Sequence, residues 1–122
     1  MAALRPSLHH VAIFYPAGRV AEARRFYGDL LGLSEIERPS TLQGREGLWF
    51  AAGDGHVHLS VDTELGLHPR RHFGLRVPDL AAAVARLQAG GARFEEADVI
   101  PGWRRIYVFD PFGNKVELDE IA

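Results

Sequence analysis

The chain has 122 residues and a formal net charge of −2, enough length for one domain with a substantial apolar core and no basic field for nucleic acid. It contains no cysteine, so disulfides and thiolate metal sites are excluded, and histidine and carboxylate remain as the strong metal ligands. No apolar run has the length of a membrane span or the form of a signal peptide. We therefore expect one cytoplasmic domain over residues 1–122 that binds neither nucleic acid nor membrane.

The first predicted element is a strand that opens with two histidines. In HHVAIFYP (9–16) apolar residues alternate with others, which is typical of a half-buried strand. Val11 and Ile13 lie on its apolar face, and His10 and Phe14 lie on the opposite face. A helix follows and ends near Gly32, because the apolar residues before this glycine share one helical face; they are Val20, Ala23, Tyr27, Leu30 and Leu31.

Three short strands complete the first half of the chain. They are predicted at about 34–38, 47–52 and 55–61, and the tight turn GDG (53–55) joins the last two. The first half is therefore a βαβββ unit.

The second half repeats the first. The stretch HHVAIFYPAG (9–18) reappears as RHFGLRVPDL (71–80), with an offset of 62 that pairs His10 with His72. The stretch FAAGDGHVHLSV (50–61) reappears as FDPFGNKVELDE (109–120), with an offset of 59 that pairs His58 with Glu117. Two matches in the same order indicate an internal duplication, with modules at about 8–62 and 70–121.

The elements of the second module follow the same order. After the strand that begins at His72, a helix is capped by Asp79 and ends at Gly90 and Gly91; its apolar stripe is Leu80, Ala83, Val84 and Leu87. Strands are predicted at 93–96, 103–109 and 114–120, with the turn DPFGN (110–114) before the last. The fold class is α+β, with two tandem βαβββ modules that form a mixed, curved sheet and carry their helices on the outer face.

Four repeat-equivalent residues point to a metal site. His10, His58, His72 and Glu117 all lie on the strand face that the helices do not cover, and a pseudo-twofold axis would bring the two pairs together. Three imidazoles and a carboxylate suit Zn, Ni, Co, Mn or Fe. The subset of residues 10, 72 and 117 also has the composition of a non-haem Fe(II) triad. The other histidines (His9, His56 and His68) are expected to be ordinary surface or hydrogen-bonded residues.

Residues near these ligands are candidates for substrate binding. Arg76 lies on the same face and suits an anionic group, and Phe14 suits the apolar wall of a pocket. Arg104 and Arg105 are adjacent, so only one of them faces the site in a regular strand. Trp49 and Trp103 are expected to be ordinary core residues or further pocket walls.

The sequence resembles the vicinal oxygen chelate superfamily, which includes glyoxalase I, fosfomycin-resistance thiol transferases, methylmalonyl-CoA epimerase, extradiol dioxygenases and bleomycin-resistance proteins. The resemblance covers essentially the whole chain and is carried by HHVAIFYP, ARRFYGDLLGL, RHFGLRVPDL and FDPFGNKVELDE. It implies that His10, His72 and Glu117 are the metal ligands and that the protein is a homodimer whose sites combine strands of both chains. At the position of His58, glyoxalase I has a glutamate ligand, so the chain departs from that enzyme there.

Three functions are compatible with these residues. The first is a metal-dependent enzyme of glyoxalase type, a lyase or isomerase, in which a divalent ion chelates adjacent oxygens of a small molecule. In it Glu117 and His58 are the catalytic residues that move a proton. The second is an Fe(II) dioxygenase, and the third is a non-catalytic protein that sequesters a toxic ligand or antibiotic.

Overall fold

Each half of the chain forms one four-stranded mixed sheet, which confirms the predicted pair of βαβββ modules. The computed structural model describes residues 2–121. The first sheet, sheet A, consists of β1 (His10–Tyr15), β2 (Ser34–Ile36), β3 (Gly47–Ala52) and β4 (Gly55–Val61). The second, sheet B, consists of β5 (His72–Arg76), β6 (Arg93–Glu96), β7 (Trp103–Phe109) and β8 (Lys115–Ile121). The strand orders are β1-β4-β3-β2 and β5-β8-β7-β6.

The strand register repeats between the sheets as closely as the sequence does. In sheet A, β1 runs parallel to β4 and places Ala12 beside His58. In sheet B, β5 runs parallel to β8 and places Gly74 beside Glu117. The remaining neighbours are antiparallel. His58 and Glu117, the candidate ligands on the last strand of each module, therefore each lie beside a small residue of the first strand. These small residues leave space over the first strand.

The predicted alternation of the strands is seen in their burial. Val57 and Leu59 of β4 are buried in the core, as are Val116 and Leu118 of β8. These side chains join one apolar cluster with residues of both helices. The helices thus cover one face of each sheet and leave the other face to the candidate ligands.

The first helix differs from its prediction. The α-helix α1 spans Val20–Arg24 and continues as a π-helical segment over Arg25–Leu30. The Leu31 amide donates to the Phe26 carbonyl oxygen at 2.9 Å, a bond across five residues. This wider turn lets the adjacent side chains of Phe26 and Tyr27 both enter the core. The apolar pattern of the sequence does not distinguish a π-helical segment from an α-helix, because apolar residues have nearly the same spacing in both.

The second helix, α2 (Leu80–Ala89), has the predicted ends. Asp79 Oδ1 accepts a hydrogen bond from the Ala82 amide at 3.0 Å, and the chain leaves the helix through Gly90 and Gly91, the latter at φ +84°. In the first module, β2 ends at Ile36 rather than at 38, and the Arg38 side chain beyond it donates to the Gly47 carbonyl oxygen at 2.9 Å. No helix within residues 2–121 has the length and hydropathy to cross a membrane.

A buried carboxylate ties the two modules together at the turn before β8. Asp110 accepts hydrogen bonds from the hydroxyl of Tyr27 in the first module and from the amide nitrogens of Phe112 and Asn114, at 2.8–2.9 Å. The Asn114 side chain donates both to Asp110 and to the Phe14 carbonyl oxygen of β1. Burial raises the pKa of Asp110, and the hydrogen bonds from Asn114 and Tyr27 oppose that rise. The turn DPFGN is therefore a polar connection between the helix of one module and the sheet of the other.

Candidate functional site

The open face of sheet A carries a stack of three aromatic rings. The imidazole of His58 lies between the ring of His10, 4.3 Å away between centroids, and the ring of Trp49, 3.8 Å away. Trp49 lies beside His58 because the two residues are paired across β3 and β4. The stack holds the His58 ring in one orientation, and His58 is only 8% exposed.

Burial of His58 lowers its pKa to about 4, and the nearby imidazoles of His10, His56 and His9 act in the same direction. His58 is therefore neutral at neutral pH. A neutral imidazole has the lone pair that a metal ligand or a proton acceptor needs.

Two further histidines, expected to be ordinary surface or hydrogen-bonded residues, lie within this cluster and are hydrogen-bonded to its members. His9 Nδ1 is 2.9 Å from His10 Nδ1, and His56 Nδ1 is 3.2 Å from His58 Nε2. The His9 and His56 rings are 5.0 Å apart. Alternate residues of a strand share a face, so the sequence could have predicted that His56 lies beside His58 in the cluster. His9 comes close because its carbonyl oxygen accepts from the His56 amide, which extends the β1–β4 ladder by one residue.

The open face of sheet B carries His72, Glu117 and Arg105. His72 Nε2 is 3.7 Å from Glu117 Oε1, and Arg105 Nη1 donates to the same oxygen at 2.7 Å. The side chains of Glu117 and Arg105 are 10% and 13% exposed. Of the two adjacent arginines, Arg105 faces the site, whereas Arg104 pairs with Glu120 on the opposite face. The sequence predicted that one arginine would face the site without indicating that it would bind the candidate ligand.

The predicted substrate-binding residues occupy different surroundings. Arg76 is largely exposed, and its Nε donates to Asp119 Oδ1 at 3.0 Å, so part of its charge is already paired. Phe14 is half-buried and lines a cavity of about 230 Å³ between β1 and the segment that leads into β5. His72 and Leu67 line the same cavity. An apolar group could therefore lie next to His72.

The two open faces differ in charge. Sheet B carries paired charges, since Lys115 Nζ lies 3.0 Å from Glu95 Oε1 in addition to the pairs of Arg105 and Arg76. Sheet A presents imidazole and indole rings instead. Nitrogen ligands thus lie mainly on one face and the carboxylate on the other.

The structure brings the predicted ligands together as two pairs. His10 and His58 lie in sheet A, and His72 and Glu117 lie in sheet B. Within residues 2–121 no three His, Asp or Glu side chains are grouped so that they could hold a metal ion. The four predicted ligands therefore do not form one site within a single chain. Their equivalent positions in the repeat determine which sheet face they occupy, but not the distance between the two pairs.

Each pair nevertheless suits half of a divalent metal site. His58 is neutral, as a ligand must be. The second oxygen of Glu117, Oε2, faces Gly74, where an added Cβ would lie 3.6 Å away. A glycine at this position leaves the carboxylate uncovered on the side of β5. The donor set of three imidazoles and one carboxylate fits Zn, Ni, Co, Mn or Fe.

Comparison with known proteins identifies the family. The model of the Glyoxalase/Bleomycin resistance protein/Dioxygenase superfamily matches residues 7–118. The chain therefore belongs to this superfamily, which confirms the resemblance seen in the sequence. A search of curated proteins gives no match.

Solved structures agree over the whole chain. A protein of Bacillus anthracis described as a glyoxalase family member is 32% identical, with a TM-score of 0.91 and 100% of both chains covered. A lactoylglutathione lyase of Agrobacterium tumefaciens is 22% identical, with a TM-score of 0.73 over 97% of this chain and 96% of that one. A fosfomycin resistance protein of Listeria monocytogenes is 16% identical, with a TM-score of 0.74 over 98% and 94%. The last two share the fold, and their activities differ from each other.

Proposed function

We propose that the protein is a metal-dependent enzyme of glyoxalase type, a lyase or isomerase that acts on a small molecule with adjacent oxygens. The observation that carries the proposal is the pair of half-sites on the open sheet faces, one with His10 and a neutral His58, the other with His72 and Glu117. Superfamily membership and the similarity to a lactoylglutathione lyase support it.

The complete site is proposed to form between two copies of the chain. The two pairs do not form one ligand set within residues 2–121, and both lie on faces that the helices leave open. In a symmetric homodimer, sheet A of one protomer would face sheet B of the other and supply all four ligands twice. The imidazole and indole rings of sheet A would then meet the charged face of sheet B.

The chain's own residues would perform binding and proton transfer. When bound, the divalent ion supplies a Lewis acid that stabilises negative charge on the chelated substrate oxygens. Glu117 accepts a proton at Oε2, the oxygen next to Gly74, while Arg105 holds Oε1. His58 is a fourth ligand or a second proton acceptor. The cavity lined by Phe14 takes an apolar group of the substrate, and Arg76 attracts an anionic group.

Metal titration of the demetallated protein tests this function. We expect Ni²⁺, Co²⁺ or Zn²⁺ to bind stoichiometrically by calorimetry and to raise Tm. The variant Glu117→Gln should lose affinity by about 100-fold or more, because a charged ligand is removed. Glu120→Gln is the matched control, since this carboxylate lies on the same strand and pairs with Arg104 on the other face. Equal affinity of the Glu117→Gln variant and the unmodified protein would refute the ligand assignment.

Mixing two inactive variants tests the shared site. Homodimers of His10→Ala and of Glu117→Gln each have both sites damaged. A mixed dimer would regain one intact site, so a re-equilibrated equimolar mixture should recover tight binding at about a quarter of its sites. Sites contained within one chain would give no recovery.

A non-catalytic ligand-sequestering protein is the second candidate. It is favoured by the ion pair of Glu117 with Arg105, which already neutralises the carboxylate without a metal. This alternative predicts that divalent ions neither bind stoichiometrically nor change Tm. Retained iron together with oxygen-sensitive activity would instead favour a dioxygenase.

A further inference from the structure

We infer that Arg105 is a positioning residue that makes Glu117 a weak ligand through one oxygen only, by holding Oε1 and leaving Oε2 for a divalent ion. The inference rests on the proposed function and adds to it a residue that sets the strength and geometry of the carboxylate ligand.

The contacts of Arg105 fix its position on three sides. Its Nη1 donates to Glu117 Oε1 at 2.7 Å and to the Tyr107 hydroxyl at 3.1 Å. Its Nη2 and Nε donate to the Asp98 carbonyl oxygen at 2.8 and 3.2 Å. All three nitrogens are thus engaged, and the guanidinium is anchored to the backbone before β7. A guanidinium stays protonated at any physiological pH, so the positive charge is permanent.

The other oxygen of Glu117 is left open by this arrangement. Within the part of the chain that the structure describes, Oε2 has no hydrogen-bond donor, and it faces Gly74. His72 lies on the same strand as Gly74, two residues earlier. Its Nε2 is 3.7 Å from the occupied Oε1, and its imidazole lies on the same sheet face as Oε2. An ion held by His72 and Glu117 would therefore meet a carboxylate that offers one oxygen.

Two consequences follow from the guanidinium charge. Because Arg105 and Glu117 are both shielded from water, the ion pair removes much of the negative charge that would attract a second cation. Because Oε1 is occupied, bidentate coordination requires the ion pair to break. A carboxylate held in this way would bind a divalent ion weakly, which would suit the proton transfer assigned to Glu117.

Three variants separate this role from a structural one. In Arg105→Met and Arg105→Gln the charge is removed, and the affinity for Ni²⁺ or Co²⁺ should rise about tenfold, the scale of outer-ligand effects on metal sites. Arg105→Lys keeps the charge and should restore the affinity of the unmodified protein. Arg104→Met is the matched control on the opposite face and should leave the affinity unchanged.

The visible spectrum of the Co²⁺-loaded protein supplies a second measurement. Bidentate binding by Glu117 in Arg105→Met raises the coordination number, which should weaken the visible absorption of Co²⁺ relative to the unmodified protein. Affinity that is unchanged or lower in both neutral variants would overturn the inference while leaving the metal site standing. If neither the unmodified protein nor any variant binds a divalent ion, the proposed function fails, and this inference fails with it.

Discussion

Two buried tyrosines allow a direct test of what the polar connection between the modules contributes to stability. Tyr15 and Tyr27 both have fully buried side chains. The hydroxyl of Tyr27 donates to Asp110 Oδ2 at 2.8 Å, whereas the Tyr15 hydroxyl has no hydrogen-bond partner among residues 2–121. Burial, with the nearby negative charge of Glu46, raises the pKa of Tyr15 to about 12, and burial also raises the pKa of Tyr27, so both tyrosines are uncharged at neutral pH.

The Tyr27→Phe variant removes one hydrogen bond and no packing volume other than the hydroxyl. All four groups around Asp110 donate to it, so the ionised carboxylate is the form that satisfies them. A hydrogen bond to a charged group is worth about 1.5–3 kcal/mol, and we expect the free energy of unfolding to fall by about 2 kcal/mol. For a domain of this length the corresponding fall in Tm is roughly 6–10 °C.

The Tyr15→Phe variant is the matched control. Since its hydroxyl is buried without a partner, its removal should leave stability unchanged or raise it by about 1 kcal/mol. Urea denaturation of both variants, followed by tryptophan fluorescence and circular dichroism, measures the difference. If Tyr15→Phe loses as much stability as Tyr27→Phe, or if Tyr27→Phe loses less than about 0.5 kcal/mol, the hydrogen bond to Asp110 does not contribute the stability that we expect of it.

Three further predictions concern other parts of the fold. The pKa of His58 in the folded protein lies below its ordinary value, so the unfolded chain binds this proton at a higher pH than the folded protein does. The free energy of unfolding of the metal-free protein should therefore fall by about 2–3 kcal/mol from pH 7 to 4. His58→Gln should lose that part of the pH dependence, and parallel pH curves would contradict the lowered pKa. Gly47→Ala would place a Cβ 2.9 Å from the Leu59 carbonyl oxygen, so urea denaturation should show a loss of about 1–3 kcal/mol; unchanged stability would mean that β3 shifts freely. Asp79→Ala removes the cap of α2 and should cost about 1 kcal/mol, whereas Asp79→Asn should cost less.

The internal repeat explains why so much of the fold could be predicted. A strand face is set by a period of two, and the duplication supplied two independent examples of each strand and helix. The equivalence of Ala12 with Gly74 and of His58 with Glu117 is reproduced by the register of the parallel strands. Cap and stop residues such as Asp79 act locally, and local signals can be recognised without knowledge of the tertiary structure.

The features that the sequence did not reveal depend on distances between elements. Sequence spacing shows that Arg105 or Arg104 faces the site, but not that a guanidinium reaches across to the neighbouring strand and binds Glu117. Alternation directs His9 to the apolar side of the predicted strand, whereas in the structure it precedes β1, bonds to the His56 amide through its carbonyl oxygen and contacts the His10 ring. The separation of the ligand pairs depends on how the sheets are placed, which no pattern within one module specifies.

The pairing of β1 with β4 and of β5 with β8 also has a consequence for the order of folding. The paired residues His10 and His56 are 46 positions apart, and His72 and Lys115 are 43 apart. Each module must therefore close a long chain loop before its parallel pair forms at the edge of the sheet, and such non-local pairing is slow. No strand of one sheet pairs with a strand of the other among the described residues. Two loop closures of similar length are thus expected, one in each module. Refolding kinetics should therefore be sensitive to substitutions in the parallel pair of either half.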